Sequence, residues 1–155
     1  MTVAPDHRSP RYQALIQLLR TAETLWNASR TFFVRWELSP SQFNVMNLLW
    51  EAPDGVSQSD LSRQLLMHRS NVTGLADRLE RRKLVKRLAG RGDRRAYRVV
   101  LTPAGRTLMR QILPHYYAAA ELVWGELSAE RIRQLIEELQ VVCANAERAA
   151  TTPSS

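Results

Sequence analysis

The chain has 155 residues, 45% of them apolar, with a formal net charge of +7 and a single cysteine, Cys143. That length reads as one domain, or one domain with helical extensions, large enough to fold without metal or disulfide staples. One cysteine excludes an intrachain disulfide and points to a reducing, cytoplasmic setting. No run approaches the ~18 apolar residues of a membrane span, and "MTVAPDHRSPRY" lacks the charged-then-apolar order of a signal peptide.

Residues 1–10 are polar with two prolines and are expected to form a disordered arm. From Arg11 to about Trp36, apolar residues recur at helical spacing (Leu15, Ile16, Leu19, Ala22, Leu25, Trp26, Phe32, Phe33), which predicts a long first helix. "LSPSQF" restarts the chain: Ser39 is a capping residue, Pro40 suits the first helical position, and Gln42 stands three residues after the cap. That helix carries Phe43, Met46, Leu49 and Trp50 and stops before the turn "APDG". A second capping box, "SQSD", opens a two-turn helix that breaks near Met67 and His68.

The following helix, residues 68–82, has one narrow apolar stripe (Val72, Leu75, Ala76, Leu79) and a polar remainder. After Lys83 the period changes to two. "LVKRLA" and "AYRVVL" read as the strands of a hairpin around "GRGDRR". In "LTPAG", Thr102 caps a helix carrying Leu108, Ile112, Tyr116 and Val123, which Pro114 is expected to kink or split. Ser128 caps a last helix with Ile132, Leu135, Ile136, Leu139 and Val142, and residues 150–155 form a loose tail.

The charge is concentrated. Residues 63–98 hold twelve basic and three acidic side chains, a local +9, whereas the rest holds ten basic and twelve acidic, a net −2. Such a block attracts a polyanion: nucleic acid, an acidic membrane surface or an acidic protein. A solvated face in an arginine-rich chain explains the count equally well, since 20 of the 22 basic residues are Arg. Its placement decides between them.

The block coincides with residues 37–102, whose order of helices and hairpin is that of a winged helix-turn-helix. In that arrangement the second helix enters the major groove of DNA. Arg69 suits guanine or phosphate, Asn71 suits adenine, and Ser70, Thr73 and Gly74 are short enough to let the backbone approach. Arg91, Arg94 and Arg95 at the hairpin tip suit a narrow minor groove, where phosphates relieve their mutual repulsion. Asp93 is expected to pair with Arg94 or Arg95. Arg98, in mid-strand, reads more simply as solvent-facing.

"LSPSQFNVMNLL", "DLSRQLLMHRSNVTGLADRLERRKLVKR" and "DRRAYRVVLTPAG" resemble the MarR-type transcriptional regulators over residues 11–145. The resemblance implies a mainly α protein with a small β-hairpin, its winged helix-turn-helix core flanked by N- and C-terminal dimerisation helices. It implies a homodimer on a pseudo-palindromic operator, usually a repressor, often released by a small aromatic or anionic ligand. Ser70, Asn71, Thr73 and Arg78 match groove or backbone contacts, and Asp93 and Arg95 match the wing pair. The family usually has Gly where Lys83 stands. A lysine in a left-handed cap costs about 1 kcal/mol, which allows for a differently shaped turn.

Residues 11–36 and 103–149 carry apolar stripes that a domain of about 65 residues cannot cover, so a two-fold interface is expected there. Trp26, Arg30, Phe33, His68 and Tyr116 are candidate effector-lining residues: aromatic walls with a cation. Cys143 lies near the apolar stripe of the last helix and is expected at a buried interface. The histidines His7, His68 and His115 are scattered without metal-site spacing, and neither a cofactor nor a catalytic set is expected. The competing readings are a low-specificity architectural DNA-binding protein and a winged-helix protein-interaction module.

Overall fold

The computed structural model describes residues 9–89 and 97–151. The elements are α1 (Pro10–Phe33), a 3-10 turn (Val34–Trp36), α2 (Pro40–Trp50), β1 (Val56–Ser57), α3 (Gln58–Gln64), α4 (Arg69–Arg81), β2 (Val85–Ala89), β3 (Tyr97–Leu101), α5 (Pro103–Trp124) and α6 (Ala129–Thr151). The chain forms two compact units, residues 1–111 and 112–155. Most of the N-terminal arm, the hairpin loop 90–96 and the last four residues lie outside the described residues.

The helices start where polar caps release them. Ser39 Oγ accepts from the Gln42 amide at 3.2 Å while Gln42 Oε1 accepts from the Ser39 amide at 2.8 Å, closing the capping box on α2. Ser57 Oγ accepts from the Asp60 amide at 3.1 Å, and Ser128 Oγ from the Arg131 amide at 3.3 Å. In the first unit α2 is central: Phe43, Val45, Met46 and Leu49 are all buried, and Phe33 of α1 stacks on Phe43 at 4.4 Å between ring centroids. Leu61 of α3, Val72 and Leu79 of α4, and Val99 of β3 complete this core. Each such side chain contributes about 1.5–3 kcal/mol by leaving water.

The sheet has three strands in the order β1–β3–β2, both pairs antiparallel, with Val56 opposite Val99 and Val85 opposite Leu101. The sequence reading contains only the hairpin β2–β3. A two-residue strand has no periodicity to detect, so β1 is an addition. The expected split at Pro114 does not occur, because α5 runs through it as one helix. In the second unit, Ile132, Leu135 and Leu139 of α6 are half-buried, whereas Ile136, Val141 and Val142 are exposed.

Three termini share one design without glycine. Glu37, Leu66 and Lys83 take φ of 55°, 51° and 58°. Each donates its amide to the carbonyl three residues back, and the next residue donates to the carbonyl five back: Leu38 to Phe33, Met67 to Ser62, and Leu84 to Leu79. This is the Schellman termination, in which the left-handed residue ordinarily is Gly. The turn at Lys83 therefore keeps the left-handed form despite the lysine, sealed by the buried pair Leu79 and Leu84. Lys83→Gly is expected to raise stability by about 0.5–1 kcal/mol, a few degrees in Tm, by relieving the Cβ clash. Thermal unfolding that shows no rise would mean the lysine side chain compensates locally.

Candidate nucleic-acid interface

Helix α4 is docked by the face its sequence marks as apolar: Val72, Leu75, Ala76 and Leu79 are all buried. At about 100° per residue, Ser70, Gly74 and Arg81 lie opposite that stripe, with Asn71 and Arg78 on one flank and Thr73 and Asp77 on the other. His68 is the N-cap: its Nδ1 accepts from the Ser70 amide at 3.4 Å and lies 2.8 Å from Ser70 Oγ. An accepting Nδ1 places the proton of the neutral ring on Nε2. Thr73 Oγ1 donates back to the Arg69 carbonyl at 3.0 Å, the short-range bond that lets a hydroxyl sit inside a helix. Arg69, Ser70 and Asn71 are exposed, and Thr73 and Gly74 are half-buried. A Cβ built on Gly74 would meet only Arg78 Nη1, at 3.7 Å.

The basic residues of the block divide into two sets. Arg87 on β2 donates from its main-chain amide to Glu80 Oε1 at 3.1 Å, and its guanidinium pairs with both Glu80 and Asp77 of α4. Burial by itself lowers the Arg87 pKa, but the hydrogen bond to Asp77 and the charges of Glu80 and Asp77 outweigh it and hold the group above its ordinary value. Arg82 donates to the main-chain carbonyls of Glu37 at 2.5 Å and Trp36 at 3.2 Å, satisfying the end of the 3-10 turn. Arg98 is not merely solvent-facing: it donates from Nε to the Asp54 carbonyl at 3.0 Å and from Nη2 to the Gly55 carbonyl, bracing β3 against the turn before β1. Arg63 pairs with Asp60 at 2.9 Å. By contrast, Arg69, Arg78, Arg81, Lys83 and Lys86 carry no hydrogen bond or ion pair among the described residues.

The structure thus brings Arg69, Ser70, Asn71, Thr73, Gly74 and Arg78 together on the outer side of α4, and adds Arg81 and Lys86 to them. Arg81 was legible as the residue eleven after Ser70, the helical return to the same face. The wing residues Arg91, Asp93, Arg94 and Arg95 lie outside the described residues.

The five candidate effector-lining residues are not gathered into one lining. Phe33 is 1% exposed and belongs to the core against Phe43, and His68 caps α4. Trp26 is exposed on α1. Arg30 lines an open groove of about 520 Å³ with Asn27, Thr31 and Val34. Tyr116 is half-buried in the second unit, its ring centroid 6.5 Å from that of Tyr117. Cys143 is exposed in the single chain. Among the described residues no group of three or more His, Cys, Asp or Glu is placed to hold a metal, and no helix is long and apolar enough to cross a membrane.

Comparison with known proteins agrees with this geometry. The MarR family model matches residues 36–96, which span the end of α1 to the hairpin loop. The chain is 30% identical over 111 residues to the HTH-type transcriptional regulator MhqR of Bacillus subtilis, covering 72% of this chain and 76% of that protein. It is 28% identical over 125 residues to the homoprotocatechuate degradative operon repressor of Escherichia coli, covering 81% of this chain and 84% of that one. The structure superposes on that of MepR from S. aureus, solved as a DNA complex, with a TM-score of 0.76 at 20% identity, over 87% of this chain and 97% of that one. A winged helix-turn-helix with an unpaired basic face on its second helix, matched over that same stretch, places this chain in the MarR family of transcriptional regulators.

Proposed function

We propose that the chain is a homodimeric repressor that grips a pseudo-palindromic duplex with α4 of each copy in successive major grooves. The observation that carries this reading is the division of charge on α4 and its surroundings. The side chains facing the core are fully buried, and Arg69, Arg78 and Arg81 are left without a partner on the outer side. An unpaired cationic surface is costly in isolation and is relieved by phosphates.

The dimer is supported by what α1 and α6 leave uncovered. Leu15, Leu19, Leu25 and Trp26 are exposed on α1, and Ile136, Val141 and Val142 on α6. Contiguous apolar faces of this size signal an interface. A two-fold pairing through α1, α5 and α6 buries them and sets two α4 helices about one DNA turn, ~34 Å, apart. In this dimer Cys143 is an interface residue rather than a thiol sensor.

For the effector, a small anionic aromatic is the class that suits Arg30 in its groove with Trp26 one turn away. The relative that represses a homoprotocatechuate degradative operon supports that class. The cytoplasm is the compartment that such a regulator requires.

The test is selection of duplexes from a random library, followed by light scattering of protein alone and with the selected duplex. A two-chain mass and an inverted-repeat site bound ~10³-fold or more above random DNA are expected. A monomer mass at micromolar concentration contradicts the dimer. Uniform affinity for all duplexes makes the protein architectural, and no binding at low salt makes the lobe a protein-interaction module.

A further inference from the structure

We infer that Arg87 controls DNA affinity without touching DNA, as a positioning residue that holds the two carboxylates of α4 away from its arginines. This rests on α4 being the DNA-reading helix. Asp77 and Glu80 are the only acids in α4. Asp77 stands one turn before Arg81, the spacing at which a carboxylate and a guanidinium pair on a helix surface. In the structure it does not do so. Arg87, reaching from β2, takes Asp77 with one nitrogen and Glu80 with the other, and its own amide fixes the second oxygen of Glu80 at 3.1 Å. Arg81 and Arg78 are left without a carboxylate partner among the described residues.

Arginine is the side chain this role requires, because a planar guanidinium engages two carboxylates at once whereas a lysine ammonium is a single point charge. Without Arg87, Asp77 is released to pair with Arg81, and Glu80 to face the phosphates uncompensated. The surface then loses roughly one effective phosphate contact. With log K falling by about 0.9 per contact per decade of salt, one contact is worth about eightfold at 0.1 M salt.

The test compares wild type, R87K, R87M and the triple variant R87M/D77N/E80Q. Each is titrated with the duplex selected by the wild type, over a salt series. R87M is expected to bind about eightfold more weakly, with a salt slope shallower by about 0.9, and R87K to fall between R87M and wild type. The triple variant, which removes the acids along with their clamp, is expected to return to within about twofold of wild type in affinity and slope.

A triple variant that stays as weak as R87M overturns the inference, because Arg87 would then contact the phosphates itself or act only through the fold. Unchanged affinity in R87M overturns it as well. If R87M does not fold, R87K and the triple variant carry the same comparison. Wild-type protein that binds no duplex at all fails the reading of α4 as a DNA interface, before Arg87 is reached.

Discussion

Gly105→Ala is expected to cost the DNA-binding lobe about 3 kcal/mol or more, a large part of the 5–15 kcal/mol that holds a domain of this size together. The reason is the way α5 begins. Thr102 Oγ1 donates to the Lys83 carbonyl at 2.6 Å and accepts from the Gly105 amide at 3.0 Å, and the Thr102 amide donates to the Leu84 carbonyl at 3.0 Å. These bonds draw the first turn of α5 directly over the chain entering β2. A Cβ on Gly105 would stand 2.0 Å from the Leu84 carbonyl oxygen and 3.2 Å from Leu101 Cδ2. The first neighbour is backbone inside a sheet and cannot swing away, so the helix start or the strand has to move. In "LTPAG", Thr supplies the cap, Pro the first-turn φ, and Gly the close approach. Chemical denaturation checks this: a midpoint equal to wild type would mean that α5 and β2 are not held this closely.

Gly74→Ala is expected to move stability and binding in opposite directions. Glycine inside a helix is less favourable than alanine by about 1 kcal/mol. A Cβ at Gly74 meets only Arg78 Nη1, at an ordinary contact distance of 3.7 Å. The fold alone would therefore be steadier with alanine, by roughly 0.5–1 kcal/mol and a few degrees in Tm. The glycine faces away from the buried stripe, at the centre of the surface that meets the duplex. There a methyl group holds the backbone off the base edges, and contacts worth about 1–3 kcal/mol per bidentate base pair are strained together. Affinity for the selected site should fall by about tenfold or more, while weak binding to random DNA, carried by phosphates, changes little. A variant that is both steadier and equally tight on its site would show that α4 meets DNA through a different face.

The elements were legible in the sequence wherever periodicity and caps agreed. Ser39 with Gln42, Ser57 with Asp60, Thr102 and Ser128 each start a helix where the pattern places it, and the stripe Val72, Leu75, Ala76 and Leu79 is the buried face of α4. Two kinds of feature were not. One is structure too short to have a period, such as Val56–Ser57, which exists as a strand only because β3 is beside it. The other is the use made of each arginine. Arg82, Arg87 and Arg98 carry the same charge as Arg69 and Arg78, yet the first three are committed to carbonyls and carboxylates 7 to 46 residues away. Only the tertiary fold distinguishes a basic residue that ties the lobe together from one left facing outward. Phe33 shows the same limit, since helical spacing cannot tell a pocket wall from a core ring stacked on Phe43.

The central claim, that the lobe around α4 grips duplex DNA through unpaired basic residues, is tested most directly by the salt dependence of binding. A fluorescent duplex selected from a random library is titrated with protein between about 50 and 300 mM salt. Two copies presenting Arg69, Arg78, Arg81, Lys83 and Lys86 should give a straight line of log K against log salt with a slope of about −4 or steeper. A slope near zero, or no complex at the lowest salt, would contradict it.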